Sequence, residues 1–141
     1  MNKIKEYKEK MFEDIKHIDE EGNEYWLARE LQSTLGYHQW RSINDLIVRA
    51  KVTCKESKYN VDDHFAVQRK MIKLAKGAAR KVIDYKLSRY ACYLIVMNGN
   101  PKKEIIALGQ TYFAIQTRKQ ELSEKEYSML TEDEKRFYQR N

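Results

Sequence analysis

Residues that interrupt helices are scarce in this chain, which has one proline and five glycines among its 141 residues. All-β domains need frequent tight turns, and disordered chains are poor in apolar side chains. With 42% hydrophobic and 34% charged residues, the composition is that of a globular domain. We therefore expect a folded chain that is mainly helical. The strands predicted below make its class α+β.

The first 27 residues combine one helical pattern with one alternating pattern. Apolar residues at helical spacing predict a helix over residues 3–15. Apolar and polar residues then alternate around Gly22-Asn23, a pair that favours tight turns. The alternation predicts a small β-hairpin with His17–Asp19 and Glu24–Leu27 as its arms.

Two short helices joined by a tight turn are predicted next. The first covers Ala28–Leu35 and is ended by Gly36; the second covers Gln39–Lys55. This is the outline of a helix-turn-helix, whose second helix can enter a DNA major groove. The residues that would then face the groove are His38, Gln39, Arg41, Ser42, Asn44, Asp45, Arg49 and Lys51. A purely structural pair of helices would give the same pattern, so both interpretations stay open.

The middle of the chain is harder to assign. Residues 56–64 are polar and rich in turn-forming residues. The segments Phe65–Val67 and Met71–Leu74 fit either two short strands or one helix, with an interruption near Gly77. Alternation and early β-branching in Lys81–Leu87 predict a strand.

Helix signals are clearer in the last third of the chain. Ser88 is a suitable N-cap for an apolar helix that runs through Met97. Asn100 caps the next helix, with Pro101 at a first position where its missing N–H costs nothing, and the pattern continues to about Leu122.

Two capping-box patterns, Ser123 with Glu126 and Thr131 with Glu134, predict a short helix and then a final one. The final helix has no C-cap at Asn141, which is typical of a fragment of a longer protein. We therefore expect a first domain over residues 1–122, in which the helix-turn-helix outline favours DNA binding, and the truncated start of a helical C-terminal region over residues 123–141.

The positive charge is concentrated in the central third of the chain. Residues 1–37 carry six basic and nine acidic side chains, residues 38–81 carry eleven and four, and residues 82–141 carry ten and eight. The central segment thus has a net charge of +7, more than the +6 of the whole chain. A surplus confined to one stretch can gather phosphates, although a merely solvated basic face has the same composition.

A second basic run supports a nucleic-acid ligand. Its members are Arg69, Lys70, Lys73, Lys76, Arg80 and Lys81. They surround Gly77-Ala78-Ala79, small residues that would let the backbone approach phosphates closely. A flexible, solvated loop is an equally good interpretation.

Signals for catalysis are weak. His17, His38 and His64 have no ligand-like spacing with the two cysteines, so we expect neither a metal nor another cofactor. Asp62-Asp63-His64 is more typical of a turn or helix cap than of a metal site. Most tyrosines lie on apolar faces, although Tyr37 and Tyr59 could stack on bases. We expect a binding protein that is not an enzyme.

The location expected from the sequence is the cytoplasm, without a membrane anchor. Cys54 and Cys92 have no paired spacing, which favours reduced cysteines in an intracellular protein. The first ten residues are charged and do not form an apolar signal region. The longest apolar stretch, from Ala91 to Met97, is far shorter than a membrane span.

Three strings carry a family resemblance: EYWLARELQSTLGYHQWRSI (24–43), NVDDHF (60–65) and SRYACYLIVMNGNPKKEIIALGQTYFAIQTRKQEL (88–122). Together they resemble the DNA-damage-inducible protein D family. The Tyr-Trp-x-Ala-Arg-Glu-Leu…Leu-Gly-Tyr segment is also similar to the amino-terminal domain of viral and phage BRO proteins, which is associated with DNA binding. Arg29 and Arg41 are the positions of this BRO-like pattern that look least structural.

The resemblance implies a mixed α and β domain in a bacterial protein of the SOS response, without catalytic residues. It also implies a role around recombinase filaments on single-stranded DNA. The leading hypothesis is therefore a DNA-binding module for single- or double-stranded DNA. The alternative is a protein-interaction module that docks on a recombinase, on a phage-antirepressor-like regulator or on a second copy of itself.

Overall fold

The computed structural model describes residues 11–128, with side chains over residues 11–121. The chain divides into two units, one ending at Gln110 and one beginning at Thr111. The first unit contains a four-stranded antiparallel sheet and most of the helices. The second unit continues the last helix to Ser128. The predicted α+β class, mainly helical, is confirmed.

Strands occur in two consecutive pairs, with helices before, between and after them. In order they are α1 (residues 11–14), β1 (His17–Ile18), β2 (Glu24–Leu27), α2 (Ala28–Thr34), α3 (Trp40–Glu56), α4 (Val61–His64), β3 (Phe65–Lys73), β4 (Ala79–Leu87), α5 (Arg89–Met97) and α6 (Glu104–Ser128). The strand order is β1-β2-β4-β3. Strand β4 therefore lies between β2 and β3 and joins the two hairpins into one sheet.

The predicted first hairpin is confirmed. His17 pairs with Tyr25 in antiparallel register. The turn holds because the Asp19 carboxylate accepts hydrogen bonds from the backbone N–H groups of Glu21 (2.9 Å) and Asn23 (2.8 Å). Gly22 has a φ of +86°, a conformation in which glycine is favoured.

The two predicted helices after the hairpin are also confirmed, as α2 and α3. Gly36 follows α2 with a φ of +72°, and its N–H donates to the carbonyl of Ser33 at 3.0 Å. This is the left-handed residue that commonly ends a helix. The turn before α3 therefore depends on a residue that adopts this conformation without strain.

Replacing Gly36 with alanine is expected to lower the free energy of unfolding by about 1–2 kcal/mol, because a Cβ disfavours the left-handed region. Space is not the limit, since the nearest atom to such a Cβ is Lys103 Nζ at 3.5 Å. Urea unfolding measures the change. Gly36→Asn is the control, because asparagine tolerates this conformation, and an equal loss in both variants would contradict the argument.

The core of the first unit is built around Trp26 of β2, whose side chain is fully buried. Its ring stacks on Phe12 with centroids 4.6 Å apart, and its Nε1–H donates to the Phe12 carbonyl at 2.9 Å. Around it lie fully buried aliphatic side chains, among them Leu31, Ile43, Ile47, Leu87 and Ile95. Helices α3 and α5 pack against each other through this layer.

Arg89, at the start of α5, connects three parts of the first unit. Its guanidinium donates to Glu24 of β2 (2.8 and 3.2 Å) and to Glu13 near the N-terminus (2.9 and 3.3 Å). The same group lies 5.0 Å from the centroid of the Trp26 ring. Bidentate pairs between a guanidinium and a carboxylate hold the two groups in a defined geometry, in addition to the attraction between their charges.

The middle of the chain differs from the sequence expectation in three respects. A single nine-residue strand, β3, replaces the two short strands or one helix considered for Phe65–Leu74. Its partner β4 contains the predicted strand but begins two residues earlier, at Ala79. A short helix, α4, lies within the segment predicted as turns, and the Asn60 side chain caps it by accepting from the N–H of Asp62.

The last helix also differs. Asn100 does not cap α6; its side chain accepts from the N–H of Lys102 at 3.0 Å, and the helix begins at Glu104. The predicted break at Ser123 is wrong, because α6 continues through this residue to Ser128. No glycine or proline lies between Gly109 and Ser128. The first helix is described only over residues 11–14, and the Thr131 and Glu134 pattern lies outside the described residues.

Both cysteines are free and buried. Burial raises the pKa of the Cys92 thiol well above its ordinary value, which keeps it in the unreactive protonated form. No helix within residues 11–128 combines the length and the apolar character that crossing a membrane requires.

Candidate nucleic-acid interface

The β3–β4 hairpin carries most of the predicted basic residues. Its strands pair from Phe65↔Leu87 to Lys73↔Ala79. The outer part of the hairpin, residues 69–83, is termed the basic arm. It contains six basic and no acidic residues, and all six are exposed: Arg69, Lys70, Lys73, Lys76, Arg80 and Lys81. The structure therefore brings a run that was scattered over thirteen positions onto one two-stranded ribbon.

The tip of the arm is a tight five-residue turn. The N–H of Leu74 donates to the carbonyl of Ala78 at 2.7 Å. Lys76 and Gly77 both have positive φ, 65° and 77°. Nothing approaches within 4 Å of a Cβ added at Gly77, so the tip is open to a ligand.

Cross-strand pairing sorts the arm residues onto two faces, because directly opposite side chains of an antiparallel pair share a face. One face, termed the apolar–basic face, carries the pairs Arg69↔Ile83, Met71↔Lys81 and Lys73↔Ala79. The other, termed the Asp84 face, carries the pairs Lys70↔Val82 and Ile72↔Arg80, and Asp84 follows on it. Each face therefore combines basic and apolar side chains.

The base of the arm is fixed to the helix pair by a stack of aromatic and cationic groups. The Arg29 side chain donates to the Ile83 carbonyl at 2.9 Å, and its guanidinium lies 4.3 Å from the Trp40 ring centroid. Trp40 in turn stacks on Tyr85, with centroids 6.3 Å apart. Lys51 Nζ lies 4.3 Å from the centroid of the Tyr85 ring and 3.1 Å from its hydroxyl oxygen. The cation–π contacts of Arg29 with Trp40 and of Lys51 with Tyr85 stabilise this arrangement.

Asp84, at the base of the arm, is fully buried and was not predicted from the sequence. Its Oδ1 accepts from the backbone N–H groups of Arg29 (3.0 Å) and Tyr85 (2.8 Å). Its Oδ2 lies 3.1 Å from Lys70 Nζ. The N-cap residue of α2 is Leu27, whose side chain cannot accept a hydrogen bond. The Asp84 carboxylate therefore accepts from the N–H of Arg29, a donor in the first turn of α2, in its place.

The predicted residues outside the arm are placed less uniformly. His38, Gln39, Arg41 and Arg49 are exposed and Asn44 is half-buried. Helical geometry of about 100° per residue puts Arg49 on nearly the opposite side of α3 from Lys51. Arg29 and Lys51 serve as packing groups at the base of the arm, and Lys70 is paired with Asp84. A role for these residues in DNA contact stays a prediction.

The sequence analysis missed the apolar members of the arm, above all Met71 and Ile83. Both are exposed. Each lies beside another apolar residue, Ile72 or Val82, so the sequence has no alternating pattern that would separate the two faces. Only the register of the two strands shows which apolar residues share a face.

The described residues include close pairs of residue types that also occur in catalytic sites, His17 with Glu30 at 2.5 Å and His64 with Ser88. His64 Nδ1 lies 2.6 Å from Ser88 Oγ, but that oxygen also accepts from the N–H of Ala91 and caps α5. Within the described residues, no group of three or more histidine, cysteine or acidic side chains is arranged to hold a metal ion.

Comparison with known proteins shows the following similarities. Residues 14–114 match the BRO family, N-terminal domain. The chain is 50% identical over 131 residues to DNA damage-inducible protein D of Escherichia coli (strain K12), which covers 92% of this chain and 48% of that protein. The expected resemblance is therefore confirmed, and the chain spans about half the length of the curated relative. No solved structure matches it.

Proposed function

We propose that this chain, which belongs to the BRO family and carries its N-terminal domain, is a nucleic-acid-binding module that holds phosphates with its basic arm. The observation that supports the proposal is the arm itself. Six exposed cationic side chains lie on one ribbon without an acidic neighbour in residues 69–83. The ribbon is fixed at its base, so the cations are presented together and their field adds up.

Most of this charge is free to meet phosphate. Lys70 is paired with Asp84. Among the described residues, the other five arm cations form no ion pair: Arg69, Lys73, Lys76, Arg80 and Lys81. A protein cation that replaces a condensed counterion gains free energy mainly from the release of that ion. The salt dependence expected for the arm is therefore that of five phosphate contacts, one for each unpaired cation.

The biological setting is proposed from the relative. Its name describes a protein induced by DNA damage. We place this chain in the bacterial DNA-damage response, in the cytoplasm, as a binding protein without catalytic activity. Action around recombinase filaments on single-stranded DNA is the finer form of this proposal.

Fluorescence anisotropy with labelled DNA tests the binding. The observed association constant should fall with salt at a log–log slope of about −4 to −5, from roughly 0.9 per phosphate contact. Between 50 and 200 mM salt this is a loss of roughly two to three orders of magnitude in affinity. A chain that binds neither single- nor double-stranded DNA at 50 mM salt would refute the proposal.

A protein-docking function is the second candidate. Val48 and Val52 lie four residues apart on α3, both more than half exposed, which gives a short apolar stripe open to solvent. If the purified chain and a purified recombinase form a complex without DNA, and Val48→Ser weakens it, this candidate gains over the first. A complex between the two proteins that forms only when DNA is present would favour the first candidate, nucleic-acid binding by the arm.

A further inference from the structure

We infer that the apolar–basic face of the arm is the surface that contacts nucleic acid, and that its ligand is the major groove of duplex DNA. This inference rests on the proposed nucleic-acid binding, and it replaces the single strand of the finer form of that proposal with duplex DNA. It goes further by naming the face, the apolar residues that take part and the form of the nucleic acid.

The exposure of apolar side chains distinguishes the two faces. Met71 and Ile83 on the apolar–basic face are 62% and 43% exposed. Val82, the neighbour of Ile83 on the Asp84 face, is only 7% exposed. The Asp84 face thus continues into the fully buried Asp84, whereas the apolar–basic face is open from Ile83 outward. A ligand therefore has access to the apolar–basic face without any change in the protein.

The charge on the arm selects the kind of ligand. All six ionisable side chains of residues 69–83 are basic. A second copy of the chain laid against this face would place like charges opposite one another, which destabilises cross-strand contact. A nucleic acid is a polyanion whose phosphates pair with the cations, while its sugars or base edges cover the apolar side chains between them.

The absence of aromatic residues selects duplex over single-stranded nucleic acid. Single-strand binding usually depends on aromatic side chains on which bases stack. Residues 66–84 contain no phenylalanine, tyrosine, tryptophan or histidine. The arm therefore has no stacking platform, and its methionine and isoleucine side chains are suited to thymine methyl groups and other apolar edges in a groove.

The dimensions of the arm select the groove. Two paired strands lie about 4.8 Å apart, and with side chains they fill a space close to the roughly 12 Å width of the DNA major groove. The minor groove, about 6 Å wide, admits such a ribbon only after deformation. The major groove of duplex RNA is too deep and narrow for side chains to read, so DNA is the ligand.

The test uses the full chain and three labelled probes: a 20-base-pair DNA duplex, the corresponding single strand and the RNA duplex. The variant is Met71→Ser with Ile83→Ser, which removes apolar contact and leaves every charge in place. Its affinity for duplex DNA should fall about tenfold. The salt slope should stay unchanged because no phosphate contact is lost.

The matched control is Ile18→Ser with Met97→Ser, two side chains off the arm that are 58% and 45% exposed. It should keep duplex affinity within about twofold of the unsubstituted chain, because surface changes away from an interface have small effects. Met71→Leu should also keep it, which separates loss of contact from loss of folding.

Three results would overturn the inference. One is an equal loss of affinity in the variant and the control. Another is tighter binding to the single strand or to RNA than to duplex DNA. The third is competition by distamycin, which occupies the minor groove, but not by methyl green, which occupies the major groove. A chain that binds none of the probes removes the proposed function and this inference together, whereas preference for the single strand removes only the inference.

Discussion

Replacing Lys73, Lys76 and Lys81 with glutamine is expected to weaken DNA binding roughly a hundredfold at 0.15 M salt and to reduce the log–log salt slope by about 3. All three lysines are exposed on the arm and form no ion pair among the described residues. Each one that meets a phosphate releases about 0.9 counterion, so removing three changes the slope more than any single substitution. Anisotropy titrations at four salt concentrations measure both quantities.

The matched control replaces Lys58, Lys102 and Lys119 with glutamine. These lysines are also exposed, and the net charge changes by the same amount. Lys58 and Lys76 have similar positive φ values, 69° and 65°, so each triple contains one residue in the left-handed region. The control should keep nearly the unsubstituted slope. Equal losses in the two triples would mean that net charge, and not the arm, governs binding.

Replacing Asp84 with alanine is expected to lower the free energy of unfolding by about 3 kcal/mol, because two backbone donors, one of them in the first turn of α2, lose their acceptor. The donors are the N–H groups of Arg29 and Tyr85. Both lie beside a fully buried carboxylate, so water does not readily replace it. Urea unfolding followed by circular dichroism gives the value.

Asp45→Ala is the control for this substitution, because Asp45 is an exposed acidic residue of α3. It should change stability by less than about 0.5 kcal/mol, as surface substitutions usually do. If Asp84→Ala unfolds at the same urea concentration as the control, the carboxylate does not stabilise the α2 terminus. The argument that Asp84 fixes the base of the arm would then fail.

Much of the fold was predictable because its signals are local. The turn at Gly22-Asn23, the end of α2 at Gly36 and the cap at Ser88 each depend on residues within one turn of the chain. The apolar spacing in α3 and α5 is equally local. The predicted break at Ser123 shows the limit of such signals, since a capping-box pattern has the same letters inside a helix as at its start.

The candidate site was predictable in its charges and not in its arrangement. The basic run from Arg69 to Lys81 is visible in the sequence, and so is the net charge of the central segment. The packing roles of Arg29 and Lys51 are not visible, because they depend on Trp40 and Tyr85, which lie far apart in the chain. Residues selected for charge alone thus include some that hold the arm in place.

By itself, the amino-acid sequence determined helices α2, α3 and α5, the first hairpin and the location of the positive charge, because each follows from spacing or from residue type. Only the tertiary structure decided that residues 65–87 form one hairpin and which residues share its faces. The outer arm is exposed on most of its surface, so no buried face imposes the apolar alternation that normally specifies register. The register is instead set where the arm joins the body, at the Phe65↔Leu87 pair and the buried Asp84.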